Sequence, residues 1–162
     1  MEPNAVSRGA AAPVLALHAK LSGFTSGTPI VTADGLIPVE HLTTGDRVVT
    51  RDGGIQKVSW IDAIYATTAA VQISPGALGH GRPETRLTLP EGQRLLIRGW
   101  RAKALYGGPV VGVPAWRLAE GQFIRRVGPR SLRLFRVGFE RQHTVYAGGL
   151  EMLAQTKDTI GP

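Results

Sequence analysis

Strand-like segments divided by closely spaced turn signals constrain the fold of this chain more than any other feature. Apolar runs such as PIVTA and TRLTL alternate with turn pairs such as Asp34-Gly35 and Asp52-Gly53. Turn signals that recur about every 8–12 residues leave little room for helices and are typical of all-β domains. The 21 glycines and 11 prolines agree with so many turns. The sequence therefore predicts one all-β domain, with a helical turn expected only at AWRLAEG.

The runs between the turns predict the individual strands. IQKVSWI and TTAAVQI are interpreted as two strands, as are GQFIRRV and SLRLFRVGF, and RLLIRGW as one. With 162 residues, the chain is long enough to bury a core without disulfide bonds.

The sequence offers few groups that could bind a metal or a cofactor. It contains no cysteine, which excludes disulfide bonds, cysteine-ligated zinc and a thiol nucleophile. His18, His41 and His80 are isolated from one another and show no metal-ligand spacing. The glycines of PGALGHG are followed by neither a P-loop lysine nor an expected helix, so we interpret them as turn residues. We expect no metal and no cofactor.

Positive charge is concentrated in the second half of the chain. The net charge is +7, and residues 82–162 hold 14 of the 19 Lys and Arg but 6 of the 12 Asp and Glu. A basic half attracts nucleic acid or another polyanion. The alternative is that the arginines decorate the outer faces of strands.

No segment is expected to span a membrane, because no run approaches about 18 apolar residues without a charge. GAAAPVLALHAK is a poor signal peptide, since Pro13 interrupts its short apolar part and His18 and Lys20 end it. The cytoplasm is therefore the default location, with non-classical secretion left open.

The segment from residue 27 to residue 62 indicates a particular protein family, which the composition alone does not. It reads GTPIVTADGLIPVEHLTTGDRVVTRDGGIQKVSWID, and it resembles the opening of the Hint (hedgehog/intein) domain in its bacterial form. Later segments at 71–89, 112–126 and 139–150 continue the resemblance. The matching positions of the opening segment are Gly27, Thr28, Ile30, Thr32, Gly35, Pro38, Val39, Glu40, Leu42, Gly45, Asp46, Val48, Thr50, Asp52, Gly53, Val58, Trp60 and Ile61.

The resemblance implies a fold and a division of the chain. Hint domains are compact, pseudo-symmetric all-β horseshoes of short strands. We expect this fold over residues 23–154, preceded by a partly ordered N-terminal arm at 1–22 and followed by a C-terminal tail at 155–162.

The resemblance also implies a chemistry and the positions that would perform it. In an active Hint domain, Cys or Ser at the first residue attacks the preceding carbonyl carbon, and the peptide becomes a thioester or an ester. Proton carriers and oxyanion donors must assist this step. The nucleophile position is Gly23 here, and the two histidine positions are Gln93 and Gln142. Because glutamine does not take a proton near neutral pH, the sequence predicts a degenerate site with no catalytic residue.

Three hypotheses about function follow. The first is a Hint domain that has lost autoprocessing and acts as a structural or binding module, not as an enzyme, with an unidentified protein as its partner. The second is an active domain in which Ser22 or Ser26 is a shifted nucleophile and His143 replaces residue 142. A shift of one residue along a strand sends a side chain to the opposite face, so His143 would need a bulge. The third is a polyanion or nucleic-acid binder that uses the arginine-rich half.

Overall fold

The computed structural model describes residues 21–156. The predicted arm at 1–22 and tail at 155–162 therefore lie largely outside the described residues. The strands are β1 (Phe24–Thr25), β2 (Pro29–Thr32), β3 (Gly35–Pro38), β4 (Arg47–Thr50), β5 (Gly54–Lys57), β6 (Trp60–Ile73), β7 (Leu87–Pro90), β8 (Arg94–Arg98), β9 (Val110–Pro114), β10 (Ile124–Phe139), β11 (Thr144–Ala147), β12 (Leu150–Leu153) and β13 (Gln155–Thr156). One α-helix, α1 (Trp100–Tyr106), and two 3₁₀ turns at Val39–His41 and Ala115–Leu118 complete the described elements. The prediction of an all-β fold is confirmed.

The strands form two sheets. The first has the order β1-β10-β6-β7, with β13 paired in parallel to β10. The second has the order β3-β2-β4-β11-β12-β8-β9, with β5 paired to β4. The longest pairing joins β6 and β10, which run antiparallel from Trp60 opposite Gly138 to Ile73 opposite Ile124. A side chain at Gly138 would collide with the Trp60 ring, because a Cβ built there lies 2.1 Å from the indole.

Strands of both sheets contribute to one core, largely through alternate strand positions. In β8, Leu95 and Ile97 are buried while Arg94 and Arg98 are exposed, as a half-buried strand requires. Burial of each large apolar side chain contributes about 1.5–3 kcal/mol. The largest fully buried apolar side chains are Phe24, Phe139, Ile30, Ile73, Leu89, Leu95, Leu134 and Met152.

Polar residues of the 27–62 segment hold its turns. Glu40 accepts a 2.7 Å hydrogen bond from the Gly27 N–H, which is the main reason why the pKa of Glu40 is lowered. Thr32 closes the first hairpin by donating its hydroxyl to the Gly35 carbonyl at 2.7 Å. Gly35 has a φ of +103°, which glycine adopts without a steric penalty. These positions of the Hint motif therefore have structural roles.

Several predictions about individual elements were wrong. The strands predicted at residues 121–127 and 131–139 form one strand, β10, and the strand predicted at 67–73 extends back to Trp60 in β6, because β6 and β10 pair with each other; the register shifts between Val127 and Arg130 without ending the ladder. The strand predicted at 55–61 is divided, since residues 55–57 lie in β5 and Trp60 and Ile61 begin β6. The residues after RLLIR form α1 and do not extend the strand. This helix ends at Gly107, whose φ of +80° is typical of a helix C-terminus. The turn expected at AWRLAEG is present as the 3₁₀ turn Ala115–Leu118.

No helix within residues 21–156 is long and apolar enough to cross a membrane.

Candidate functional site

The expected nucleophile position lies where β1 begins. Gly23 is buried, and its backbone N–H donates a 2.9 Å hydrogen bond to Oε1 of Gln93. Two of the three positions that the sequence predicted are thus in direct contact. The nitrogen that makes this contact belongs to the peptide bond between Ser22 and Gly23, the bond that an active domain would rearrange.

Gln93 is almost completely enclosed, with 1% of its surface exposed. A short turn holds it in place, because its own N–H donates to the Pro90 carbonyl at 3.0 Å. Its side-chain Nε2 donates two further 3.0 Å bonds, to the carbonyls of Arg94 and Leu153. Both amide hydrogens are therefore used, and Oε1 is committed to the Gly23 N–H.

Two more glutamines complete the cluster. Gln142 donates from Nε2 to the Ala154 carbonyl at 3.0 Å, one residue along from the Leu153 carbonyl that Gln93 binds. Gln155 donates from Nε2 to the Ser22 hydroxyl at 2.7 Å. Gln93 and Gln155 thus connect residues 153–155 with residues 22–23, while Gln142 is bonded to the neighbouring Ala154 carbonyl. We define the glutamine cluster as Gln93, Gln142 and Gln155.

Sequence reasoning missed Gln155. It lies beyond the last motif, in the segment interpreted as a tail, and no local pattern marks it. Gln155 pairs with Gly138 in the parallel β13–β10 contact, which places its side chain against Ser22.

His143, the proposed substitute base, lies next to Asp52. Its Nδ1 is 3.3 Å from Asp52 Oδ1, and its ring meets the Phe139 ring edge-on at 5.6 Å. Asp52 Oδ1 also accepts the Thr144 N–H at 3.0 Å. Burial raises the pKa of Asp52, but hydrogen bonds from the N–H groups of Thr144 and Asp52 and from His143 outweigh it, so this pKa is lowered.

The two serines proposed as shifted nucleophiles do not contact that imidazole. The Ser22 hydroxyl accepts the bond from Gln155, and Ser26 is exposed, with its backbone N–H bonded to the Arg133 carbonyl at 3.0 Å. Within residues 21–156, no hydrogen bond joins His143 to Ser22 or Ser26.

The described residues form no cluster of three or more His, Asp or Glu side chains suited to hold a metal ion.

Comparison with known sequences identifies the family. The sequence model described as "Hint domain" matches residues 22–154. This chain belongs to the Hint domain family. The match includes all three positions that the sequence predicted for the chemistry, and the resemblance found in the motifs is confirmed.

Solved structures show the same fold. This Hint domain is similar to the bacterial intein-like domain from Clostridium thermocellum, with 16% identity, a TM-score of 0.56, and coverage of 83% of this chain and 99% of that one. It is similar to the MchDnaB-1 intein (N145AA), with 17% identity, a TM-score of 0.57, and coverage of 80% and 98%. The Msm DnaB1 intein splicing domain bound with zinc has 16% identity, a TM-score of 0.52, and coverage of 81% and 98%. No match was found among curated proteins.

In this Hint domain, the backbone at residue 23 suits glycine better than a residue with a side chain. Gly23 has a φ of +151°, which residues with a side chain rarely adopt. A Cβ at this position would lie 3.2 Å from the Leu134 Cβ and 3.4 Å from the Phe135 carbonyl oxygen. The backbone conformation at residue 23 and the atoms around it therefore favour glycine at this position.

Proposed function

We propose that this Hint domain does not cleave itself and acts as a structural or binding module. The observation that carries the proposal is the hydrogen bond from the Gly23 N–H to Gln93 Oε1.

The rearrangement of an active Hint domain needs three events at this peptide bond. A side-chain nucleophile on residue 23 bonds to the Ser22 carbonyl carbon, the C–N bond breaks, and the nitrogen of residue 23 gains a proton. Glycine supplies no nucleophile. Gln93 directs an oxygen at the nitrogen, and an amide oxygen accepts a hydrogen bond but has no proton to give.

The side-chain amides of Gln93 and Gln142 do not supply the missing nucleophile or proton donor. Nε2 of Gln93 is bonded to two backbone carbonyls, and Nε2 of Gln142 is bonded to a third. Their hydrogens stabilise the residues around 153–154 and are not directed at the Ser22 carbonyl. In a catalytic unit, loss of one member can cost about as much rate as loss of all of them. Three replacements in one unit therefore support an inactive domain.

Intact mass tests the proposal directly. The purified chain is incubated for days at neutral pH, alone, with a thiol and with hydroxylamine, which would release an ester or a thioester. We expect the full mass in every sample. Ser22→Ala and Ser26→Ala are the matched variants, and neither is expected to change the result.

One outcome would show that the site had moved. A fragment of the unmodified chain that begins within residues 22–26, and that disappears in Ser22→Ala or Ser26→Ala, would overturn the proposal in favour of a shifted nucleophile. Cleavage that both variants retain would point to a contaminating protease.

A polyanion-binding surface is a second candidate, and exposed arginines of β10 favour it. Arg125 and Arg130 are exposed and form no ion pair with a carboxylate of residues 21–156. The Arg133 guanidinium lies 5.6 Å from the ring of Tyr65, which is 79% exposed. Exposed cations of this kind contact phosphates, and an exposed aromatic ring beside an arginine can stack on bases.

A further inference from the structure

A second site lies away from the glutamine cluster. A cavity of about 650 Å³ opens between the loop at 74–83, the end of β8 and the start of β12. Its volume is within the range of small-molecule sites. None of Gly23, Gln93, Gln142 and Gln155 lines it, so a ligand here would not depend on the peptide bond at 22–23.

The base of the cavity is apolar and belongs to the core of the domain. Leu95, Ile97 and Leu150 line it and are buried in the core of the domain. Leu78 faces them from the loop and packs against the same core. These side chains give the cavity an apolar surface on two sides.

The loop that forms the opposite wall is preorganised by its own backbone. The Gly76 N–H donates to the Pro83 carbonyl at 2.9 Å, and the Leu78 N–H donates to the Arg82 carbonyl at 3.0 Å. His80, which lines the cavity, has a φ of +55° and is the one non-glycine residue with a positive φ among those described. Such a conformation is uncommon and is concentrated at binding sites.

The rim of the cavity carries an excess of positive charge. Arg51 Nε and Arg98 Nη2 lie 2.9 and 2.7 Å from the same oxygen, Oε1 of Glu151. Arg82, on the loop, donates a long 3.5 Å bond to the Gly149 carbonyl and forms no ion pair within residues 21–156. Three guanidinium groups therefore accompany one carboxylate, and Arg82 and Arg98 line the cavity itself.

An aromatic side chain lies at the entrance. Trp100 lines the cavity and is 71% exposed. Together with the apolar base and the cationic rim, it gives the site one face for an apolar body and one for a negative charge.

We propose that this cavity binds a small carboxylate with an apolar body. The carboxylate lies between Arg82 and Arg98, where charge-assisted hydrogen bonds to guanidinium groups are strongest. The apolar body lies on Leu78, Leu95 and Ile97, with Trp100 over it.

Decanoate is the probe, and decanol is its uncharged counterpart. Calorimetric titration of the full chain is expected to show saturable decanoate binding. In NMR spectra, decanoate should shift the indole N–H resonance of Trp100 and leave those of Trp60 and Trp116 in place. Arg82→Gln is expected to weaken decanoate binding at least tenfold, as loss of a charge-assisted hydrogen bond predicts, and to leave decanol binding unchanged. Arg98→Gln is the second variant and should act in the same direction.

Arg141→Gln is the matched control, because Arg141 is also exposed but lies outside the cavity. It should bind decanoate as the parent chain does. The proposal is overturned if the parent chain does not bind decanoate at millimolar concentration. It is equally overturned if Arg141→Gln weakens binding as much as Arg82→Gln does, or if both cavity variants fold normally and bind as the parent does.

Discussion

The backbone N–H of Gly23 and the side-chain Oε1 of Gln93 are 2.9 Å apart, although the two residues are separated by 70 positions in sequence. This bond joins the start of β1, in the first sheet, to the turn before β8, in the second. Through Nε2, the same side chain reaches the Leu153 carbonyl at the end of β12. A residue at a catalytic position of the family thus connects three segments of the backbone.

Removal of the hydrogen-bonding groups of Gln93 should destabilise the fold. Gln93→Met keeps the shape of the side chain but leaves the buried Gly23 N–H and the Leu153 carbonyl without their side-chain partner. Each group left unsatisfied costs about 1–3 kcal/mol, so we expect the free energy of unfolding to fall by about 2–6 kcal/mol. Urea denaturation measures this change.

Gln142→Met is the control for that experiment. Gln142 is exposed, and water can replace its bond to Ala154, so its loss should cost less than about 1 kcal/mol. Equal losses in the two variants would mean that Gln93 has no special structural role.

Addition of a side chain at residue 23 should also destabilise the fold. Gly23→Ala places a Cβ 3.2 Å from Leu134 and requires a φ that alanine rarely adopts. Backbone strain of this kind costs about 1–3 kcal/mol, which denaturation would detect. Gly112→Ala is the matched control, because its Cβ would make only an ordinary 3.7 Å contact with Leu153. A neutral Gly23→Ala variant would show that the backbone relaxes freely at this point.

Substitution of the family's cysteine and histidines at residues 23, 93 and 142 should restore self-cleavage. Gly23→Cys combined with Gln93→His and Gln142→His supplies a nucleophile and two proton carriers. We expect slow, thiol-dependent cleavage between Ser22 and residue 23, detected by mass spectrometry. The strain at residue 23 should make this variant less stable than the double histidine variant. The double variant lacks a nucleophile at residue 23 and should stay intact; a fragment from it that begins at residue 23 would show that the nucleophile comes from elsewhere.

Asp52 should make stability depend on pH in the acid range. Its pKa is lowered from the ordinary value of 3.8, so the carboxylate contributes stability above the unfolded pKa, and this contribution is lost as the pH falls through the folded pKa. Asp52→Asn should therefore cost no more than about 1 kcal/mol at pH 7, because the Asp52 side chain is 44% exposed and solvent screens its charge-assisted hydrogen bonds. The difference from the parent chain should shrink steadily below about pH 4.

Denaturation curves at pH 7 and about pH 2.5 would measure this difference. Asp34→Asn is the control, because its 3.6 Å contact with Arg47 is highly exposed and should contribute little. A constant difference between Asp52→Asn and the parent chain at both pH values would contradict the prediction.

Binding to a polyanion should follow the arginines of β10 if the second candidate function is correct. The logarithm of the affinity for heparin or duplex DNA should fall linearly with the logarithm of salt concentration. Arg125→Gln with Arg130→Gln should reduce the slope by about one for each phosphate that the variant no longer neutralises. Arg47→Gln with Lys57→Gln, in the first half of the chain, is the control pair. If both double variants reduce the slope equally, the polyanion is attracted by the net positive charge of the chain and not by the arginines of β10.

The sequence by itself determined the features that depend on near neighbours. Asp34-Gly35 predicted its hairpin because Thr32 and Gly35 close the turn within four residues. The Hint motifs, in which residues such as Thr32 and Gly35 hold local turns, predicted the fold, and alignment with these motifs located Gly23, Gln93 and Gln142.

Only the tertiary structure decided the features that depend on distant partners. β6 and β10 became single long strands because each is the other's partner, a pairing that neither segment encodes alone. Gln155 joined the site through a bond to Ser22, 133 positions away. His143 was directed to Asp52, 91 positions away. Turn chemistry is set by a few consecutive residues, whereas a side chain's partner is set by packing, and packing brings together residues whose separation along the chain carries no signal.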